Sequence, residues 1–98
     1  MVIRVFHARP ISGASEELTR LAEEVSIPFV DAQRGLLARY TGRGIGATGD
    51  ELVMVSVWED LDAMKQMTGD DWESPVIPDE RIEPLIAESS VHNYESIG

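Results

Sequence analysis

Apolar and polar positions along this chain repeat with two different periods, and each change of period marks an element. Leu52 to Trp58 is an almost unbroken apolar run rich in valine, which suits a strand buried on both faces. Asp60 follows and can accept a hydrogen bond from the free backbone donors of a new helix. Leu61, Met64 and Met67 then recur at near-helical spacing, which predicts a short helix with one apolar side. A buried strand turning straight into a covering helix implies a sheet with helices on one face.

The remaining elements fall around that unit. Val2 to Ala8 predicts a first strand, with Ile3, Val5 and His7 on one face and Val2, Arg4 and Phe6 on the other; Pro10 ends it. Ser12 or Ser15 is expected to cap the next helix, and Glu16 and Glu17 place negative charge in its first turn, where the helix dipole favours it. Leu18, Leu21, Ala22 and Val25 fall at i, i+3, i+4 and i+7, the core stripe of an amphipathic helix. Pro28 cannot sit deep in that helix, so a kink or restart is expected near Ser26, with Phe29 and Val30 packing from a second short piece. Gly35 closes it, and Leu36 to Thr41 reads as a second strand with Leu37 and Arg39 on one face and Leu36, Ala38 and Tyr40 on the other. Beyond the Leu61 helix, Gly69 is a stop, Trp72 sits in a loop, and Pro78-Asp79-Glu80 is expected to open a helix with Ile82, Leu85 and Ile86 on its apolar side. Ser90 to Ser96 reads as the last strand, with His92 and Tyr94 sharing a face.

Strand, helix, strand, strand, helix, strand is the split βαβ, or ferredoxin-like, order of an α+β fold. Right-handed crossovers would place the first and third strands at the centre of a four-stranded antiparallel sheet, with both helices covering one face. The other face is apolar whichever parity is chosen. Such a face is expected to pack against a second copy of the chain rather than face water.

Composition narrows the classes of function. The 98 residues, 43% of them hydrophobic, fit a single domain over residues 1–98. With no cysteine there is no disulfide framework, thiolate nucleophile or cysteine-ligated metal. Eighteen acidic against eight basic residues give a formal net charge of −10, which repels nucleic acid and anionic membrane surfaces. The opening Met-Val-Ile-Arg-Val-Phe-His is too short and too polar for a signal peptide, and no apolar run approaches the roughly 20 residues of a membrane helix. A cytoplasmic protein is therefore expected. Gly44, Gly46 and Gly49 form a GxGxxG, but the element after them is a strand, so no helix end points at a phosphate and a hairpin loop is expected. Ser12 and Ser15 are better explained as caps than as nucleophiles, because no Gly-x-Ser-x-Gly elbow occurs. The two histidines stand on different strands without ligand spacing, so no metal site is expected.

The run Leu-Val-Met-Val-Ser-Val-Trp-Glu-Asp-Leu-Asp-Ala-Met, the Gly35-Leu36-Leu37 turn and the closing Val91-His-Asn-Tyr-Glu95 strand resemble the antibiotic biosynthesis monooxygenase-like family of the dimeric α+β barrel superfamily. The resemblance covers about residues 2 to 96 and implies a homodimer with a small-molecule pocket between sheet and helices. It also implies an oxidoreductase that acts on an aromatic or quinone-like substrate without a cofactor. The haem-degrading branch of the family places an asparagine, a tryptophan and a histidine ligand at positions that fall near His7, Met67 and Ile77 here, and none matches. No haem ligand is carried over.

The same resemblance suggests where chemistry would lie. His7 stands on the first strand where a polar pocket residue is common in the family, and His92 or Tyr94 on the last strand is its expected neighbour. A His-Tyr pair could hold a phenolic substrate and shift its proton, since imidazole titrates near neutrality. His7, His92 and Tyr94 are thus the expected catalytic residues, and Trp58 and Trp72 the expected pocket residues. Each also has a plain structural reading: strand histidines with local hydrogen bonds, a rim tyrosine, and tryptophans in the core or an interface. Arg4 and Arg39 are expected to pair with carboxylates across an interface. An oxygen-using enzyme, a ligand-binding dimer and a purely structural dimer all remain open at this point.

Overall fold

A computed structural model describes residues 1–98. Its strands are β1 (Val2–Pro10), β2 (Leu36–Arg43), β3 (Leu52–Trp58) and β4 (Ile86–Glu95), and its α-helices are α1 (Ser15–Leu21), α2 (Ile27–Asp31) and α3 (Leu61–Thr68). The strands form one antiparallel sheet in the order β2-β3-β1-β4, with β1 and β3 at the centre as the ferredoxin-like order requires.

The β3–α3 unit behaves as its pattern predicts. The Asp60 carboxylate accepts a hydrogen bond from the Ala63 backbone N–H at 2.8 Å, and Gly69 ends the helix at φ 73°. Gly35, at φ 81°, makes the turn into β2. A Cβ there would stand 2.5 Å from that of Ala63, so the loop and α3 approach closely only because glycine is present. The restart expected near Ser26 takes a specific form. One π-helical turn, Ala22–Ser26, joins α1 to α2, and Ile27 donates its N–H to the Ala22 carbonyl. Pro28 has no N–H to give, and the wide turn absorbs the register change just before it.

Three expectations are corrected. No serine caps α1: its N-cap is Ala14, which makes no side-chain cap bond, while the acidic first turn of Glu16 and Glu17 stands. No α-helix opens at Pro78; turns lead instead to a single 3-10 turn, Glu83–Leu85, because Pro84 allows no longer ladder. In β2 a bulge between Leu36 and Ala38 shifts the alternation, so Leu36, Arg39 and Thr41 pair with Trp58, Ser56 and Met54 on one face and Ala38 and Tyr40 fall on the other.

Parity then divides the sheet. Val2, Arg4, Phe6 and Ala8 of β1 and Leu52, Met54, Ser56 and Trp58 of β3 face the helices. Leu18, Leu21, Leu52 and Ile82 form one buried cluster, and Val30, Trp58 and Met64 form another. Trp58 is fully enclosed, and its ring N–H donates to the Ser56 hydroxyl at 3.0 Å. The opposite face carries Ile3, Val5, Val53, Val55 and Val57 with no element over it. The glycine-rich segment is a hairpin connection, closed by Gly44 N–H donating to the Glu51 carbonyl at 2.6 Å, with a 3-10 turn at Gly46–Thr48.

Two outcomes follow from this packing. Trp58→Ala should lower stability by about 3–5 kcal/mol, measured by chemical denaturation; a loss below about 1 kcal/mol would mean the ring is not enclosed. Replacing Gly44–Glu51 by Asn-Gly, which suits a two-residue turn between the paired Arg43 and Leu52, should change stability by less than about 1 kcal/mol. An unfolded product would assign the loop a structural role.

Candidate functional site

Between the sheet and its helices lies a cleft lined by 19 residues, of which 14 are hydrophobic. Its floor is the helix-facing side of β1 and β3, its sides come from Leu18, Ala22, Ser26 and Phe29, and its outer wall is the Val76-Ile77-Pro78 stretch after α3. The π turn sets Ala22 and Ser26 against it. The cleft has a volume of about 70 Å³. An engineered apolar cavity of about 150 Å³ accepts a benzene ring, so a ring-sized ligand would need the outer wall to give way. That wall has no helix or strand, which makes it the part of the lining best able to move.

Four polar side chains break the apolar lining: Arg4, Ser26, Thr41 and Ser56. Two of them belong to a polar row that crosses the whole sheet. Arg39 of β2 pairs with Ser56 of β3, Ser56 with Arg4 of β1, and Arg4 with Asn93 of β4. Residues paired in this way have Cβ atoms about 4.5–5.5 Å apart on one face. At one end Arg39 is held by Asp31 at 2.6 Å and donates to the Thr41 hydroxyl at 2.8 Å. At the centre Arg4 is only 4% exposed.

Arg4 fastens the segment that follows α3. Its Nη1 donates to the Trp72 carbonyl at 2.6 Å and to Asn93 Oδ1 at 3.4 Å, and its Nη2 donates to the Ser74 carbonyl at 2.8 Å. Asn93 Nδ2 adds a bond to the same Trp72 carbonyl at 3.3 Å. Lys65 Nζ stands 5.9 Å from the centre of the Trp72 ring, a cation–π distance that secures the segment from outside. At the far end of the wall Asp79 takes hydrogen bonds from the Arg81 side chain and backbone N–H, which hold its carboxyl down to about 2.

The expected site residues are distributed differently. His7, His92 and Tyr94 stand together on the open face, as their alternation with Arg4 and Asn93 demands. His7 pairs with Ser90, two residues from His92, and Tyr94 is 53% exposed. They therefore share a face with one another but not with the cleft, which corrects their expected place in the pocket. A shallow polar hollow adjoins His7, bounded by Arg9, Glu51, Glu88, Ser89 and Ser90. Trp58 and Trp72 do not line the cleft either: Trp58 is sealed beneath it, and the Trp72 side chain packs against the Trp58 and Met64 cluster. Arg39 does pair with a carboxylate, within its own chain, whereas Arg4 pairs with none. Ser56 and Thr41 belong to no motif in the sequence. Ser56 nevertheless stands out as a lone serine in a valine-rich strand, at even spacing from Leu52 and Trp58 and so on their face.

No family model matches the sequence, and no curated protein does. Solved structures do match over nearly the full length. A proposed antibiotic biosynthesis monooxygenase of Deinococcus radiodurans superposes with a TM-score of 0.76 at 14% identity, covering 98% of this chain and 92% of its own. SnoaB, a cofactor-independent oxygenase of Streptomyces nogalater, superposes with a TM-score of 0.73 at 17% identity, covering 99% and 93%. A variant of MhuD with two manganese protoporphyrin IX molecules bound per active site gives 0.72 at 19% identity, covering 99% and 95%. Similarity at this level is similarity of fold, and the chain has the ferredoxin-like α+β fold of the antibiotic biosynthesis monooxygenase-like proteins.

Proposed function

We propose that this chain is a monooxygenase-like protein that binds an aromatic or quinol-type molecule in the cleft between sheet and helices and oxidises it with molecular oxygen. The observation that carries the reading is the cleft itself: an apolar slot entered by a few polar side chains, the usual form of a small-molecule site. A substrate such as anthrone needs little from the protein beyond placement. Once solvent water has taken a proton from its acidic C–H, the resulting anion is electron-rich enough to react with oxygen; a methylene becomes a carbonyl, and the second oxygen atom leaves as water with the two methylene hydrogens. Arg4 would stabilise that anion, and Ser56 and Thr41 would orient it.

A second reading has its own support. The four polar side chains of the cleft are an arginine, a threonine and two serines, none of which is a general base near neutral pH. A cleft with a cation and no base also suits a protein that binds its ligand without transforming it. A catalytic part for His7, His92 and Tyr94 would require substrate on the open face, so the proposal places the chemistry in the cleft instead.

The open face has a proposed role of its own. Only 12 of 98 residues are buried in the single chain, which leaves Ile3, Val5, Val53, Val55, Val57 and the exposed Tyr40 as an apolar surface without cover. A second copy, packed sheet to sheet, would cover it, with an interface expected to exceed about 1,000 Å².

Oxygen uptake with anthrone and with a quinol should rise above the buffer rate in the presence of the protein. Ser26→Phe, which fills the cleft, should return it to that rate. No acceleration by the folded wild-type protein would remove the oxidation reading and leave ligand binding. Light scattering at micromolar concentration should give twice the chain mass of 10.8 kDa; a stable monomer would contradict the sheet-to-sheet pairing.

A further inference from the structure

Among the charged groups of this chain, Arg4 is held in a way no other is. Arg9, Arg20, Arg39 and Arg81 each have a carboxylate partner, and all but Arg39 are largely exposed. Arg4 is 4% exposed and makes no ion pair; the acceptors around it are two backbone carbonyls and one amide oxygen. Burial pushes its pKa below the ordinary guanidinium value, yet guanidinium remains protonated in proteins. A full positive charge therefore lies beside an apolar cleft with only dipoles to balance it. Burying a charge without a counter-charge is costly, and the cost falls when an anion arrives.

The unused donors face the same requirement. A guanidinium has five N–H groups, and three are used by the Trp72 carbonyl, Asn93 and the Ser74 carbonyl. The Nε–H and one Nη2–H make no bond within the chain. Directly across the strand pair, Ser56 is 3% exposed and accepts the Trp58 ring N–H at 3.0 Å. That bond occupies a lone pair of the hydroxyl and leaves its proton free to be donated. Both residues line the cleft.

We infer that the cleft selects apolar ligands carrying one anionic oxygen group, a carboxylate above all, which Arg4 and Ser56 receive together. The inference rests on the cleft as the ligand site but not on any oxidation there. It also gives the guanidinium two tasks at once. The bonds to Trp72 and Ser74 hold the outer wall closed, while the spare donors hold the ligand, so ligand charge and wall closure meet at one side chain. The chain's net charge of −10 opposes the approach of an anion from afar, but at physiological salt that field fades within about 8 Å, and selection is made inside the cleft.

The test is a matched pair of ligands that do not react with oxygen, 2-naphthoate and its neutral amide 2-naphthamide, titrated calorimetrically at neutral pH and 0.15 M salt. The wild-type chain should bind the carboxylate about tenfold more tightly, the size expected of one added charge-assisted contact. Arg4→Gln should bring the two ligands near parity. Ser56→Ala, which leaves the wall bonds of Arg4 in place, should reduce the preference about threefold. Ser26→Phe should abolish binding of both. Equal or tighter binding of the amide by wild-type protein would overturn the inference while leaving the cleft as the binding site; no binding of either would overturn both. If Arg4→Gln does not fold, the wild-type preference and Ser56→Ala still decide. Loss of oxygen uptake alone would bear on the oxidation reading only.

Discussion

The wall of the cleft depends on one buried cation. The segment from Gly69 to Ile82 contains no helix or strand; Trp72, Ile77 and Ile82 anchor it in the two cores, and its side-chain hydrogen bonds to β1 and β4 come from Arg4 and Asn93. Two bonds from guanidinium to carbonyl, each charge-assisted, add to that packing the fixed direction a regular element would have provided. A lysine could not do the same work. Its ammonium has three donors on one atom, and the Trp72 carbonyl, Asn93 and the Ser74 carbonyl would take all of them, leaving none for a ligand. The same placement leaves a positive charge next to an apolar space, so the arrangement that closes the cleft also sets what the cleft prefers.

The two faces of the sheet divide the labour. β3 supplies both sides in strict alternation: Leu52, Met54, Ser56 and Trp58 toward the helices, Val53, Val55 and Val57 away from them. The first set builds the cores and the floor of the cleft; the second forms an apolar surface that suits a second copy. The strand therefore has to be apolar throughout, and a single serine in it stands out. The bulge in β2 keeps this division intact, since it brings Arg39 and Thr41 onto the cleft side beside Ser56 and Met54.

Much of the fold could be read from residue order, because local rules and tertiary packing agree there. The Asp60 cap, the Leu18 and Leu21 stripe and the break before Pro28 each depend on residues a few positions apart. The expected serine caps and the helix at Pro78 failed where several local solutions were open and tertiary contacts chose among them. The site was less legible. The alternation correctly put His7 opposite Arg4, but which face the helices cover depends on the packing of Leu52 and Trp58, not on β1 itself. Histidine drew attention by its chemistry, whereas Arg4 looked like half of an ion pair until its partners proved to be carbonyls 68 and 70 residues away.

The proposed ligand lies on the helix-covered face, where Arg4 receives it. The most direct measurement is the proton–nitrogen NMR spectrum of the arginine Nε–H groups, recorded with and without 2-naphthoate. The Arg4 Nε–H signal, of a donor with no acceptor in the free chain, should shift downfield and exchange more slowly with solvent on saturation, while the His7 and His92 ring signals stay in place. Shifts confined to His7, His92 and Tyr94, with Arg4 unmoved, would place the ligand on the open face and contradict that placement.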